Sequence, residues 1–389
     1  MLPRPLIAAT AAVLVLSACS AGGRAASPDA APDASAAGTA TPPTAVGPEV
    51  PGEDWTRTPA DSAGFDGTAL RALDRELDSL GSSCLVVTRH GELVHEAYFG
   101  GSDDQAMGAA FSVTKSFTSL LVGIAADEGL LDLDDRASDY IPQWRRTPAA
   151  GVTIRDLLAN VSGRHWDFTT DYQEMAIGAA DKTAFAIGLA QDAPPGTVWR
   201  YNNAAIQTLE AVLSRATGTT PAEYAREKLF APMQMSRTSW GADAADNTTM
   251  FSGINASCLD LARLGVLMLN DGSWGGEQIV SKEYVAAATG RSSSRLNAAY
   301  GLLWWVNRKG PVLGALTATG GSEDTAAARA ARLAPGVPAD AFWALGLAKQ
   351  IVAVVPSEGI VAVRMGAAPQ DADALTPGAF TRDVLATLQ

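Results

Sequence analysis

The sequence predicts a mixed α/β (α+β) fold, with an antiparallel sheet flanked by helices and an inserted all-helical domain. Strand patterns occur near both ends of the folded region, and helical patterns fill most of the chain between them. We therefore expect one sheet built from 53–115 and 295–389, with a helical part at 116–294. A cleft between two such parts is a natural ligand site.

The individual elements follow from local patterns. Leucines recur at helical spacing in DGTALRALDRELDSLG, and Gly81 ends this helix. The next segment, CLVVTRHGELVHEAYFG, predicts two strands around a turn at His90 and Gly91. In the middle, TIRDLLAN, NAAIQTLEAVLSRATG and SCLDLARLGVLMLN are helical, and a capping box from Thr220 to Glu223 begins another helix. Finally, YGLLWWVN, AFWALGLA and QIVAVVPSEGIVAVRMG predict strands before a closing helix in TPGAFTRDVLATLQ.

Composition limits the partners. The chain has 389 residues, of which 47% are hydrophobic and 18% are charged, so most of it is globular. Its formal net charge of −13 makes it a poor ligand for nucleic acid or for an anionic membrane surface. We expect a small-molecule substrate.

The N-terminus predicts export. Arg4 precedes an apolar stretch at 6–16 that is too short to span a bilayer as a stable helix. The sequence LSAC, ending at Cys19, resembles a bacterial lipobox, which implies a lipoprotein signal peptide at 1–18 and lipidation of Cys19. Residues 19–52 form a disordered Ala/Pro/Ser tether. The protein is then a cell-membrane lipoprotein on the extracytoplasmic side, with plain secretion as the alternative.

The remaining cysteines and the histidines give weaker signals. Cys84 and Cys258 could pair outside the cell, but two buried free thiols are the interpretation that the sequence favours. We expect His90 and His95 to face solvent, and His165 to have a structural role near the cleft mouth. No spacing indicates a zinc site, so we expect no metal and no cofactor.

The stretch FSVTKSFTSLLVGIAADEGL carries the first chemical motif. Ser112 lies near the start of a predicted helix, where free N–H groups favour developing negative charge. Lys115 is one turn further on the same face. A buried lysine is easily deprotonated, and its neutral amine can then take the serine proton. Ser-x-x-Lys alone is a weak signal, because a surface lysine beside a capping serine has the same spacing.

A second motif lies in PPGTVWRYNNAAIQ. Tyr201 and Asn203 follow a Pro-Gly turn and directly precede a helix. The tyrosine can act as a proton shuttle, and the asparagine can orient a substrate carbonyl or hold the lysine. The structural alternatives are packing for Tyr201 and helix capping for Asn203.

Together these motifs resemble the serine β-lactamase/D-alanyl-D-alanine carboxypeptidase superfamily, in its class C-like branch, which includes esterases and 6-aminohexanoate-dimer hydrolases. The resemblance covers residues 55–389 and includes TIRDLLANVSG, YGLLWWV and VVPSEGIVAVRMG in the family's order. It implies a β-lactamase/penicillin-binding-protein-like fold and a serine hydrolase that cleaves an amide or ester through an acyl-serine. It also implies Ser112 as nucleophile, Lys115 as general base, Tyr201 as proton shuttle and Asn203 as a supporting residue.

One family motif is absent. Where the family has Lys or His, then Thr or Ser, then Gly, this chain has Ala344, Leu345 and Gly346. By resemblance, the backbone N–H of Leu347 completes an oxyanion hole with that of Ser112. The cation and hydroxyl that grip a substrate carboxylate are missing, so we expect neutral esters or amides to be preferred. By family analogy, Tyr172 contacts the substrate.

Two other functions remain open from the sequence. The first is a β-lactamase or D-Ala-D-Ala carboxypeptidase, for which Arg329 or Arg332 would have to replace the missing cation. Lys349 is three residues after Gly346, and alternation along a strand would turn it away from that face. The second is a non-catalytic lipoprotein that binds a peptidoglycan ligand on the same scaffold. The complete set of Ser112, Lys115 and Tyr201 argues against it, because a binding protein needs no base beside its serine.

Overall fold

The computed structural model describes residues 54–290, 295–316, 331–371 and 374–389. The helices of this described part are α1 Gly67–Ser79, α2 Thr114–Asp127, α3 Ala137–Tyr140, α4 Ile154–Leu158, α5 Lys182–Gly188, α6 Asn203–Gln207, α7 Leu209–Thr217, α8 Pro221–Ala225, α9 Cys258–Leu269, α10 Lys282–Val285 and α11 Pro377–Leu385. Its strands are β1 Ser82–Arg89, β2 Glu92–Tyr98, β3 Gly108–Ala109, β4 Thr238–Trp240, β5 Ile254–Ala256, β6 Ser273–Trp274, β7 Glu277–Gln278, β8 Trp305–Val306, β9 Phe342–Gly346, β10 Gln350–Val355 and β11 Ile360–Gly366.

The main sheet is antiparallel and six-stranded, with the order β2-β1-β11-β10-β9-β8. Strands from the two ends of the chain meet at its centre, where Val86 pairs with Val363. Every residue of β10 is buried, which fits its unbroken apolar sequence. The fold class predicted from the sequence is confirmed, and the central pairing is the one that needs both ends of the chain.

Helices cover this sheet. The helix α9 packs on β1, β10 and β11, while α1 contacts β1 and α11 contacts β10. Gly265 permits the close approach of α9, because a Cβ atom there would lie 2.3 Å from Cγ1 of Val361. The helix α9 lies within 116–294, the predicted helical part, but it packs against the main sheet.

The middle of the chain is mostly helical but not entirely so. The short strands β3, β5 and β4 form a three-stranded sheet, and β6 pairs with β7. Strands of two or three residues are too short to leave a period-two pattern in sequence. The capping box predicted at Thr220 and Glu223 is present at the start of α8.

The two cysteines of the folded region are paired, contrary to the free thiols that the sequence favours. Cys84 lies on β1 and Cys258 begins α9, and a disulfide joins them across a Cα–Cα distance of 6.7 Å. They are 174 residues apart in sequence, so only the packing of α9 on the sheet brings them together.

The predicted signal peptide, Cys19 and the tether lie outside the described residues. Among the helices that the structure does describe, we find none with the length and apolar character needed to cross a membrane. Export and lipidation stay predictions.

Candidate active site

Ser112 lies in a tight turn directly before α2. Residues Phe111–Val113 form one turn of 3₁₀ helix, and Phe111 adopts a left-handed φ of 48°. That conformation is costly for a bulky residue and persists only where its surroundings hold it. Two hydrogen bonds with Ile254 hold both sides of the turn. The N–H of Ala110 donates to the carbonyl of Ile254 (2.9 Å), and the N–H of Ile254 donates to Thr114 Oγ1 (3.0 Å). The half-buried Ser112 is thus held in a fixed place.

Lys115 is buried beside this serine, with 1% of its surface exposed. Its Nζ atom donates to Ser112 Oγ (2.8 Å) and to the carbonyl of Phe251 (2.9 Å), and it lies 4.7 Å from the ring centre of Tyr201. Burial lowers the pKa of Lys115 to about 7, an effect that the negative charge of Asp171 partly opposes. A large fraction of the amine is therefore neutral near pH 7, as a general base requires.

Tyr201 is buried beside Ser112 and Lys115, in a group of aromatic rings. Trp305 stacks on it at a centroid distance of 5.8 Å, and Tyr300 meets it edge-on at 5.9 Å. Burial raises the pKa of Tyr201, while a hydrogen bond with Ser112 acts in the opposite direction. The hydroxyl is protonated at neutral pH and can donate to a leaving group.

Asn203 contacts a carboxylate rather than the lysine. Its Nδ2 atom donates to Asp171 Oδ2 (2.8 Å), and the backbone N–H of Ala204 donates to Asp171 Oδ1 (2.8 Å). The N-cap of α6 is Asn202, whose side chain accepts from the N–H of Ala205, so Asn203 is the first residue of the helix rather than its cap. Asp171 accepts from the first backbone N–H groups of α6 and thereby fixes the segment that carries Tyr201. The sequence did not single out Asp171, because one acid in TTDYQEM carries no signal until the tertiary fold places it against α6.

Tyr172 follows Asp171 in a π-helical segment, Thr169–Gly178. Its ring stacks on the half-exposed Phe168 at a centroid distance of 5.0 Å. Burial raises the pKa of Tyr172, and a hydrogen bond with Asn203 opposes the rise. The structure thus brings Tyr172 to the group around Tyr201, and its contact with substrate stays a prediction.

The end of β9 approaches the turn Phe111–Val113, which carries Ser112 and is called the nucleophile turn below. A Cβ atom on Gly346 would lie 2.3 Å from the carbonyl oxygen of Ala110, two residues before Ser112. Leu347 follows and leaves 69% of its surface exposed. Gly346 and Leu347 thus lie beside the turn that carries Ser112, and their role in an oxyanion hole stays a prediction.

Arg329 and Arg332 were the candidates to replace the missing lysine or histidine, and Lys349 was expected to point away. Arg332 donates through Nη1 to the carbonyl of Asn307, Arg329 lies outside the described residues, and Lys349 lies in the turn after Leu347. Ala344 itself is buried. No cation is therefore shown to take the place of the missing one within the described residues.

Two of the three histidines contact carboxylates, while His90 is exposed, as expected. His165 contacts Asp192 (2.8 Å) and Asp167 (3.0 Å), and these pairings raise its pKa against the effect of burial. His95, expected to face solvent, is largely buried beside Asp74 at 2.7 Å. Among the described residues, no group of three or more His, Cys, Asp or Glu side chains could hold a metal ion.

Comparison with known proteins identifies the family. The model of the Beta-lactamase family matches residues 70–385. The chain belongs to this family. It is 25% identical over 282 residues to the 6-aminohexanoate-dimer hydrolase of Paenarthrobacter ureafaciens, covering 64% of this chain and 70% of that protein. It spans only 29% and 33% of two penicillin-binding proteins that it also matches, from Bacillus subtilis (strain 168) and Amycolatopsis lactamdurans.

Solved structures confirm the fold. A class C beta lactamase from Rhodobacter sphaeroides matches with a TM-score of 0.58 and 18% identity, over 82% of this chain and 97% of that one. EstCE1, a hydrolase with promiscuous acyltransferase activity, matches with a TM-score of 0.62 and 16% identity, over 82% and 96%. At 18% and 16% identity, these two structures show the fold of this chain.

Proposed function

We propose that this protein is a serine hydrolase that cleaves a neutral amide or ester through an acyl-serine intermediate. The observation that carries the proposal is the 2.8 Å hydrogen bond between the buried Nζ of Lys115 and Ser112 Oγ. A serine hydroxyl in direct contact with a lysine amine that burial makes largely neutral is an activated nucleophile.

Acylation begins when the neutral Lys115 amine accepts the proton of Ser112 Oγ. The oxygen then attacks the substrate carbonyl carbon, and the carbonyl π-electrons move onto its oxygen. The backbone N–H groups of Ser112 and Leu347 bind this oxyanion. Collapse of the intermediate breaks the bond to the amine or alcohol, and Tyr201 donates a proton to that leaving group while it recovers one from Lys115.

Deacylation repeats the sequence with water. Tyr201 and Lys115 take a proton from the attacking water, the oxyanion forms again, and Ser112 leaves with a proton returned from the same pair. Every group that moves a proton lies within the described site, so the reaction needs no co-reactant besides water.

A neutral substrate is favoured because the carboxylate-binding motif is absent. A charge-assisted hydrogen bond to a substrate carboxylate contributes about 1.5–3 kcal/mol, which is about 10- to 150-fold in specificity. Ala344, Leu345 and Gly346 offer neither a cation nor a hydroxyl. The name of the 6-aminohexanoate-dimer hydrolase relative supports hydrolysis of an amide.

Labelling with a fluorophosphonate probe tests the nucleophile. Wild-type protein should be labelled at Ser112, and Ser112→Ala should abolish both labelling and turnover of a p-nitrophenyl ester while leaving the fold intact. Ser116, buried one turn away and bonded to the carbonyl of Leu303, gives the control variant Ser116→Ala, which should still be labelled. An unlabelled but folded wild-type protein would favour the non-catalytic binding role.

A substrate comparison tests the specificity. The catalytic enhancement over the uncatalysed rate should be larger for a short p-nitrophenyl ester than for a chromogenic cephalosporin. A larger enhancement for the cephalosporin would replace this proposal with a β-lactamase function.

We also propose that the protein is anchored by lipid at Cys19, based on the sequence LSAC alone. Native protein should then partition with membranes, and Cys19→Ser should release it without changing the specific activity of the domain. Wholly soluble native protein would contradict the anchor.

A further inference from the structure

Arg364 is a fully buried arginine on β11 that the catalytic proposal does not use. It forms no ion pair within the described residues; burial lowers the pKa of its guanidinium to about 10, so it stays charged at neutral pH. A buried charge is costly unless hydrogen bonds compensate for the lost water. The hydrogen bonds of this cation must therefore compensate for its burial.

The hydrogen-bond partners of Arg364 within the described residues are all neutral. Nε donates to Ser82 Oγ (2.9 Å), and Nη2 donates to the carbonyl of Ala367 (2.8 Å). Nη1 donates to two consecutive carbonyls, those of Ala348 (2.8 Å) and Lys349 (3.2 Å). One guanidinium thus ties a turn between β9 and β10 to the neighbouring strands.

This turn has an unfavourable backbone. Ala348 and Lys349 both adopt left-handed conformations, with φ of 60° and 63°. Turns with two consecutive left-handed residues favour Gly, which has no Cβ atom to clash, and Asn, which tolerates this conformation. Ala and Lys incur a steric penalty there. The local sequence therefore does not explain the turn, and the two hydrogen bonds from Arg364 do.

The turn between β9 and β10 begins at Leu347, directly after Gly346, which lies against the nucleophile turn. Gly346 is fixed by its close approach to the carbonyl of Ala110. Leu347 lies between Gly346 and the two residues whose carbonyls Arg364 binds, so the conformation of Ala348 and Lys349 constrains the turn that carries the Leu347 N–H.

We propose that Arg364 is a positioning residue for the oxyanion hole, which it holds in shape through the carbonyls of Ala348 and Lys349. The inference rests on the proposed function, in which the Leu347 N–H binds the oxyanion. Loss of one oxyanion donor typically costs about 10²–10³-fold in kcat. A misdirected donor should cost less than a missing one, and it should affect the transition state more than the bound substrate.

The test compares Arg364→Met and Arg364→Lys with wild type, using a p-nitrophenyl ester and an arylboronic acid that forms a tetrahedral serine adduct. For Arg364→Met we expect kcat to fall by about 10- to 100-fold with KM changed less than about threefold. Affinity for the boronic acid should fall in parallel with kcat. Arg364→Lys, which keeps a donor and a charge, should recover part of both.

Arg89 provides a matched control on the same sheet. Its Nη1 atom also donates to a backbone carbonyl, that of Ala63 (2.6 Å), but it pairs with Ile360 at the end of β11 away from the turn. Arg89→Met should lower thermal stability while leaving kcat and boronic-acid affinity of the folded protein unchanged.

Two results would overturn the proposal: a kcat loss below threefold in folded Arg364→Met, or a larger loss with unchanged boronic-acid affinity. If Arg364→Met does not fold, the same limits are applied to Arg364→Gln, a neutral side chain too short to make the full set of hydrogen bonds. Failure of the proposed function is distinguishable, because wild-type protein would then not react with the fluorophosphonate probe at all.

Discussion

Lys115 shows at the scale of one residue how burial creates reactivity. Its neighbours Phe251 and Tyr201 supply a carbonyl and a ring face, but no carboxylate contacts its amine in the described residues. The more distant Asp171 favours the charged amine only partly. The balance leaves the pKa of Lys115 at about 7.

This pKa predicts the pH dependence of catalysis. Because only the neutral amine accepts the serine proton, kcat/KM should rise about tenfold per pH unit below pH 7 and level off above it. Asp171→Asn removes a negative charge that favours the protonated amine of Lys115. The rise of kcat/KM with pH should therefore occur at lower pH in this variant than in wild type. A pH–rate profile of both proteins on one neutral ester, whose own charge is constant, is the measurement. If kcat/KM rises over the same pH range in both proteins, a group other than Lys115 controls the pH dependence.

The same pKa predicts a cost in stability. The folded-state pKa of about 7 lies below the ordinary 10.5, so between these values the unfolded chain binds more protons and stability rises with pH. The penalty is largest below pH 7. Lys115→Met should be inactive but more stable at pH 7, by about 1–4 kcal/mol, with the gain shrinking toward pH 10. Urea denaturation at pH 7 and pH 10 measures this, and a gain that does not depend on pH would refute it.

At the scale of elements, the site depends on the distance between β9 and the turn before α2. Gly346 is the point of closest approach. Any side chain there must move a backbone on one side, because the atom it meets is the carbonyl oxygen of Ala110 rather than a flexible side chain.

Gly346→Ala should therefore separate Ser112 from the Leu347 N–H. We expect kcat to fall by about 100-fold or more, comparable to the loss of an oxyanion donor, with a smaller change in thermal stability. Gly188→Ala is the control, since a Cβ atom there would meet nothing within 4 Å and its φ is ordinary. Full activity in folded Gly346→Ala would place the oxyanion hole elsewhere.

At the scale of the whole molecule, the disulfide joins the first strand of the sheet to the helix that covers it. Cys84 and Cys258 close a long loop that includes most of the helical middle of the chain. A covalent link across so long a loop restricts the unfolded chain strongly.

Removing the link should destabilise the protein. For the double variant Cys84→Ala and Cys258→Ala we expect the free energy of unfolding to fall by about 2–5 kcal/mol. Denaturation of wild type with and without reductant provides the comparison, and reduced wild type should resemble the double variant. Equal midpoints for oxidised and reduced wild type would contradict a stabilising disulfide.

The sequence by itself determined the parts of this protein that are local. Helix α1, the β1–β2 hairpin, the capping box at Thr220 and the β10–β11 hairpin follow from periodicity, turn residues and caps, which act over a few residues. Ser112 and Lys115 are one helical turn apart, so their contact was also predictable.

Only the tertiary structure decided what depends on distant parts of the chain. The burial of Lys115 against Phe251, the hydrogen bonds of Asp171 to the start of α6 and the pairing of Cys84 with Cys258 each join residues at least 32 positions apart. Such contacts carry no local signature, because packing rather than propensity selects them. The anchor by Arg364 of a turn whose own residues disfavour it is the same effect at the proposed oxyanion hole.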